Sequence, residues 1–167
     1  MSAEAATHPV PTTVAPSAWR AGGLAALAAL AAYSTGIAWQ AQFVSYPLYR
    51  AMSADDFPAY HMAYNAAIPG TVIGPGFASF LACAAFPFVR PSGVSRPAAV
   101  VVAVSGAGSL LTTALWAIPM HNRLDRIGQD AATISSLLRA NAVRTAFLTV
   151  ATAVLSSSLF RLVRRSG

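Results

Sequence analysis

Residues 19–43 read WRAGGLAALAALAAYSTGIAWQAQF, with a single charge, Arg20, near the leading end. An α-helix rises ~1.5 Å per residue and the hydrocarbon core of a bilayer is ~30 Å thick, so ~20 apolar residues suffice to cross it. The run reads as a transmembrane helix, with Trp39 as an anchor at its exit. It exceeds the ~7–15-residue apolar core of a secretory signal and is therefore expected to be retained.

Three more runs follow the same rule. Residues 68–89 are apolar but interrupted by Pro69, Gly70, Gly74, Pro75, Gly76 and Pro87, which predicts a span kinked near its start. In this run Gly70, Gly74, Ala78 and Ala82 recur every four residues, a spacing that allows close helix contact. Residues 98–118 form the third span, closed by Trp116 and Pro119. A helix capped by Asp130 begins at Ala131 and continues into the fourth span, 141–163. The chain thus reads as an all-α protein, an antiparallel four-helix transmembrane bundle (residues 19–165) behind a flexible N-terminal tail (residues 1–18), with a short extramembrane helix between helices 1 and 2.

Composition agrees, since 56% of the 167 residues are hydrophobic and only 10% charged, unusual for a soluble domain. Every basic residue is an arginine, and the arginines sit at the ends of apolar runs rather than on one face. That placement argues against nucleic acid as a partner and for the lipid bilayer. The lone cysteine, Cys83, excludes an internal disulfide and reads as a small core residue. No inverted repeat of the kind that marks transporters is evident, and a homo-oligomer is compatible with this composition. With both termini cytoplasmic, Arg20, Arg90, Arg96, Arg161, Arg164 and Arg165 lie inside, against Arg50, Arg123, Arg126 and Arg139 outside. The positive-inside rule then places the protein in the plasma (inner) membrane with its N- and C-termini in the cytoplasm.

Two polar islands interrupt the apolar chain. The first, residues 46–69, YPLYRAMSADDFPAYHMAYNAAIP, holds four of the five tyrosines. Ser53 and Asp56 read as a capping-box variant opening a helix from Ala54 to about Ala67, on which Phe57, His61 and Tyr64 or Asn65 share a face, with Tyr60 beside it. The second island begins at MHNRLD, residues 120–125. Four spans put both islands on one side of the membrane, and neighbouring helix axes lie only ~8–10 Å apart, so His61 and His121 can meet. Asp125, four residues after His121, is positioned to orient its imidazole.

On the fourth span Asn141, Arg144, Thr145, Thr149 and Thr152 form a polar stripe that must face the bundle interior. A guanidinium at the bilayer centre costs ~2.5–3.5 kcal/mol unless paired; its candidate partners are Asp125, Asp55, Asp56 or an anionic ligand. The candidate catalytic residues are His61, His121 and Arg144, and the candidate substrate-binding residues are Tyr60, Tyr64, Asn65, Asn122 and Asn141. Two imidazoles and a carboxylate could hold a transition metal at His61 and His121. Without an H-x-x-H or C-x-x-C signature no metal ligand is assigned, and no cofactor is evident.

Pro119, Asn122 and Leu124 in IPMHNRL, followed by Asn141 and Arg144 in LLRANAVRT, resemble the anthrone oxygenase-like family of small four-span membrane proteins, most of which are of unknown function. The first island, with YPLYR and FPAYH, is also similar to bacterial members. The resemblance covers all four spans. It implies oxidation of anthrones to anthraquinones by oxygen without an organic cofactor, with His61, His121, Asn122, Asn141 and Arg144 at the site. A base would remove a proton from the activated ring carbon, and Arg144 with the asparagine amides would stabilise the resulting phenolate or enolate. Two functions follow as expectations: an oxidoreductase or oxygenase-like protein acting on a lipophilic aromatic or quinone-like small molecule, or a non-enzymatic membrane protein that binds a small molecule or serves as a subunit of a complex.

Overall fold

The computed structural model describes residues 18–166, so the expected tail lies outside the described residues except for Ala18, which opens the first helix. Every element among the described residues is helical. Four helical stretches are long and apolar enough to cross a membrane: Trp19–Leu48, Pro69–Val89, Arg96–Ile127 and Ala131–Arg165. They mark an integral membrane protein built as an all-α bundle, with the separate helix Phe57–Ala67 linking the first two spans.

Three of the four spans contain a π-helical turn, at Ala41–Ser45, Pro69–Ile73 and Thr113–Ala117. Each ends two residues before a proline: Pro47, Pro75 and Pro119. Proline has no N–H and its ring collides with the carbonyl four residues back. Widening the preceding turn resolves both problems, because the residue just before each proline then donates to the carbonyl five back: Tyr46 to Ala41, Gly74 to Pro69 and Ile118 to Thr113. The Thr71 carbonyl, four before Pro75, instead accepts the Tyr33 hydroxyl at 2.8 Å. Where a kink was expected near the start of the second span there is a π-helical turn, with counterparts near the ends of the first and third.

Absorbing Pro119 in this way lets the third span run on to Ile127, well beyond residue 118, where Gly128 at φ 76° stops it. Asp130 then caps the fourth span, its Oδ2 accepting the Thr133 backbone N–H at 2.8 Å. In the first island Asp56 N–H donates to Ser53 Oγ at 3.1 Å, and Ser53 Oγ donates to Asp56 Oδ2 at 2.6 Å. The linking helix starts at Phe57 and not at Ala54. An earlier start would have placed Pro58 beyond the first turn, where its missing N–H breaks a helical bond.

The core at the terminal end of the bundle gathers Leu24, Ala31, Cys83, Phe86, Val102 and Leu155. A second core at the loop end gathers Tyr46, Tyr49, Phe57, Leu124, Ile134 and Leu137. The second and third spans approach closely at Gly106, where an added Cβ would lie 2.6 Å from both the Phe80 carbonyl oxygen and the Ala84 nitrogen. The stripe Gly70, Gly74, Ala78 and Ala82 does not supply the helix contact its spacing suggested: Gly70, Gly74 and Ala78 are exposed. The π turn at Pro69–Ile73 takes its first half out of α-helical phase.

Candidate functional site

The two islands meet. Gln129 donates from Nε2 to the Tyr49 carbonyl at 2.7 Å and to the Met52 carbonyl at 2.8 Å, and Arg50 Nη2 donates to Ser135 Oγ at 2.7 Å. These bonds tie the loop after the first span to the start of the fourth. Tyr49, fully buried, stands at the centre of an aromatic cluster, its ring edge-on to Phe57, His61, Tyr64 and His121. Burial pushes its hydroxyl far above the ordinary tyrosine range, with the neighbouring hydroxyls of Tyr64, Tyr46 and Tyr60 adding to the shift. Burial likewise pushes Tyr64 up to about 12. Both remain neutral phenols that shape the site rather than accept protons.

Within this cluster four side chains form a continuous hydrogen-bonded chain. Tyr46 Oη lies 3.2 Å from His121 Nε2, His121 Nδ1 lies 3.1 Å from His61 Nε2, and His61 Nδ1 lies 2.7 Å from Asp125 Oδ1. The two imidazoles are nearly parallel, with 12° between planes and centroids 5.3 Å apart. With nitrogens at 3.1 Å, that separation describes rings meeting edge to edge, as an N–H···N bond requires. Because Asp125 as a carboxylate only accepts, His61 carries its proton on Nδ1 and accepts at Nε2; His121 donates there and accepts the Tyr46 hydroxyl. The tautomers are assigned from this network. Asn65 Nδ2 also donates to Asp125 Oδ1, at 3.2 Å.

The carboxylate of Asp125 thus orients His61 across the island interface and not His121 along its own helix, as its spacing had suggested. His61, only 1% exposed, comes from the linking helix to sit between the two. Both of its nitrogens are engaged, one by Asp125 and one by His121, and among the described residues no group of three or more His, Cys, Asp or Glu side chains is arranged to hold a metal ion.

A cavity of about 430 Å³ opens beside this chain, a size typical of small-molecule sites. Ile68, Val72, Phe77, Phe80 and Ile118 give it apolar walls, and Tyr46, His121, Asn122, Asp125 and Arg144 supply polar groups at its edge. All three π turns border it, through Ala41, Ser45, Val72, Thr113 and Ala117. Of the residues singled out in the sequence, His121, Arg144, Tyr64, Asn65 and Asn122 line the cavity. His61 lies behind His121, Asn141 behind Arg144, and Tyr60 is on the outer side of the aromatic cluster, against Tyr49 and Tyr64.

Arg144 does not pair with Asp125, Asp55 or Asp56: the only acid–base contact within 4.0 Å among the described residues is His61–Asp125. Its Nη2 donates instead to the Asn141 side-chain oxygen. Asn141, fully buried, is itself fixed by donating to the Ala38 carbonyl at 3.0 Å and to Gln42 Oε1 at 2.8 Å. Asn141 and Thr145 of the polar stripe are buried and the Thr152 hydroxyl meets that of Thr35 on the first span at 2.8 Å, whereas Thr149 is exposed, its hydroxyl accepting from Trp39 Nε1 at 3.2 Å. The guanidinium at the cavity edge is therefore held by the neutral Asn141 amide, with no carboxylate within 4.0 Å.

Comparison with protein-family models, curated proteins and solved structures gives no match for this chain.

Proposed function

We propose that this integral membrane protein binds a lipophilic aromatic molecule bearing a phenolic or keto oxygen, and that it acts on it as an anthrone oxygenase-like oxidoreductase. The observation that carries the reading is the cavity between the spans, apolar in its walls, with Arg144, which has no carboxylate within 4.0 Å, and a histidine chain both at its edge. A flat, fused-ring ligand satisfies the walls by burying apolar surface. Its oxygen, placed at Arg144, supplies the negative charge that the guanidinium lacks. In this reading His121, held by His61, is the base that removes a proton from the activated ring carbon. Arg144, held by Asn141, then stabilises the enolate or phenolate left behind. Asn122, Asn65 and Tyr64 line the same volume and bind the remaining polar edge of the ligand; Tyr60 supports Tyr64.

The resemblance to anthrone oxygenase-like proteins gives the overall reaction: anthrone plus one O₂ yields anthraquinone plus one water. The enolate is the electron-rich species that reacts with oxygen, so the protein's task is deprotonation and charge stabilisation, without an organic cofactor. The arginine distribution supports insertion in the plasma (inner) membrane with both termini cytoplasmic, which puts the two polar islands on the opposite face. A homo-oligomer is compatible with the exposed apolar surfaces of the spans.

The test is oxygen uptake by purified protein in lipid vesicles supplied with anthrone, with anthraquinone measured as product. Stoichiometric uptake above the uncatalysed rate, lost in His121→Ala, supports the reading. Anthrone that binds without turnover supports instead the non-enzymatic small-molecule binder, and no binding removes both.

A further inference from the structure

Two members of the hydrogen-bonded chain, Tyr46 and Asp125, have no part in the reaction proposed above, yet they are its two ends. Tyr46 is buried and lines the cavity. Asp125 lies two residues from the end of the third span, at the loop-side edge of the same cavity, with its side chain 40% exposed. Between them His61 is buried and His121 half-buried at the cavity edge, and every link has its donor and acceptor assigned in one direction.

We propose that Tyr46, His121, His61 and Asp125 form a proton relay that carries one proton from an acidic oxygen bound in the cavity to water at the loop face. The inference rests on the ligand reading above and concerns a ligand bearing an acidic O–H, whose proton is distinct from the C–H proton taken by His121 in the oxidation. As the ligand O–H gives its proton to Tyr46 Oη, Tyr46 passes its own to His121 Nε2. His121 passes the proton on Nδ1 to His61 Nε2, and His61 passes the proton on Nδ1 to Asp125 Oδ1. One O–H bond breaks on the ligand and one forms on Asp125, and both imidazoles end neutral in the opposite tautomer. No electrons change hands. Asp125 then yields the proton to water, and the ligand remains as an oxyanion opposite Arg144. When the ligand leaves as its neutral acid, the same hops run backwards and restore the first tautomers.

For an O–H proton this concerted transfer leaves both imidazoles neutral, so that no second positive charge joins Arg144 in a low-dielectric site. It also explains why His61 is buried with both nitrogens bonded: it is a link, and the residue that meets water is Asp125.

The probe is 1-naphthol, a compact aromatic acid whose naphtholate absorbs at longer wavelength than the neutral form. With detergent-solubilised full-length protein, bound naphthol is expected to ionise at a pH below that needed in solution. Its relaxation after a temperature jump, taken at the pH of half-ionisation, reports the proton transfer rate. Tyr46→Phe and Asp125→Asn, which keep the shape of the native side chains, are expected to slow this relaxation at least tenfold while leaving naphthol bound. In Asp125→Ala, acetate in the buffer is expected to restore the rate by standing in for the missing carboxylate; in Tyr46→Phe it is expected to restore nothing, because the break is at the cavity end. Unchanged rates in Tyr46→Phe or Asp125→Asn, rescue of Tyr46→Phe by acetate, or bound naphthol that stays neutral would each overturn the relay. Failure of naphthol to bind at all would instead remove the ligand reading on which it rests.

Discussion

Among single residues, some groups meet the cavity and others hold those groups in place. His121 lines the cavity and His61 sits behind it, so the two substitutions differ in kind. His121→Ala removes the proposed base and should lower the rate of anthrone oxidation by about 10²–10⁴-fold. Asp125→Asn keeps that base and should cost less. Arg144→Gln should cost about 10²–10³-fold, the usual loss when a donor to a developing oxyanion is removed. Steady-state oxygen uptake with each variant checks the order. Asn141→Leu would leave Arg144 without its one bonded neighbour and should lower activity in the same direction as Arg144→Gln. That His61 and His121 could meet was legible from the sequence, because four spans place both islands on one side regardless of detail. That Asp125 would bond His61, that Tyr46 would close the chain, and that Arg144 would lack a carboxylate were not. Each depends on ångström-scale choices among several polar neighbours that spacing alone leaves equivalent.

At the scale of elements, the π turns decide which face each helix end presents. Each accommodates one extra residue, which rotates everything after it by about 100° relative to an unbroken α-helix. A helical wheel drawn through Tyr46 or His121 therefore puts these side chains on the wrong face, and this is why the sequence located the islands but not their contacts. The prolines that cause the turns were visible; how the chain absorbs them was not. Gly106 offers a direct test of packing between the second and third spans. Gly106→Ala drives a methyl group into the opposing backbone, and overpacking of this sort costs roughly 1–3 kcal/mol; a lowered melting temperature in detergent should report it, whereas Gly70→Ala, with nothing within 4 Å, should leave the melt unchanged. The cap of the fourth span adds a pH signature. The Thr133 hydroxyl, then its backbone N–H, holds the Asp130 carboxyl below the usual aspartate range. A depressed folded value means that the stabilisation is present above the ordinary pKa of ~3.9 and is lost as pH falls through the folded one. The difference in melting temperature between wild type and Asp130→Ala should thus be constant near neutrality and shrink on acidification; a difference that grows at low pH would contradict the cap.

For the whole molecule, two cores stabilise the bundle at opposite ends, and the cavity lies where the spans part at the loop end. The number of spans and the all-α class were readable because apolar length alone decides them. The length of the third span was not, since Pro119 read as a stop and the π turn before it removed the obstacle. Orientation rests on the arginines. Reporter fusions at the C-terminus and in the loop near Gly93 should report the cytoplasm, and a fusion near Gly128 the opposite side; the reverse pattern would invert the proposed topology. Docking of a lipophilic aromatic ketone at Arg144 is tested with benzophenone, a diaryl ketone that photo-inserts into neighbouring C–H bonds. Irradiation of the protein in lipid vesicles, followed by mass spectrometry, is predicted to label Ile68, Val72 and Ile118 on the cavity wall, with labelling reduced in Arg144→Gln. Adducts confined to lipid-facing side chains such as Leu81, Leu115 and Phe160, with the cavity wall unlabelled, would contradict it.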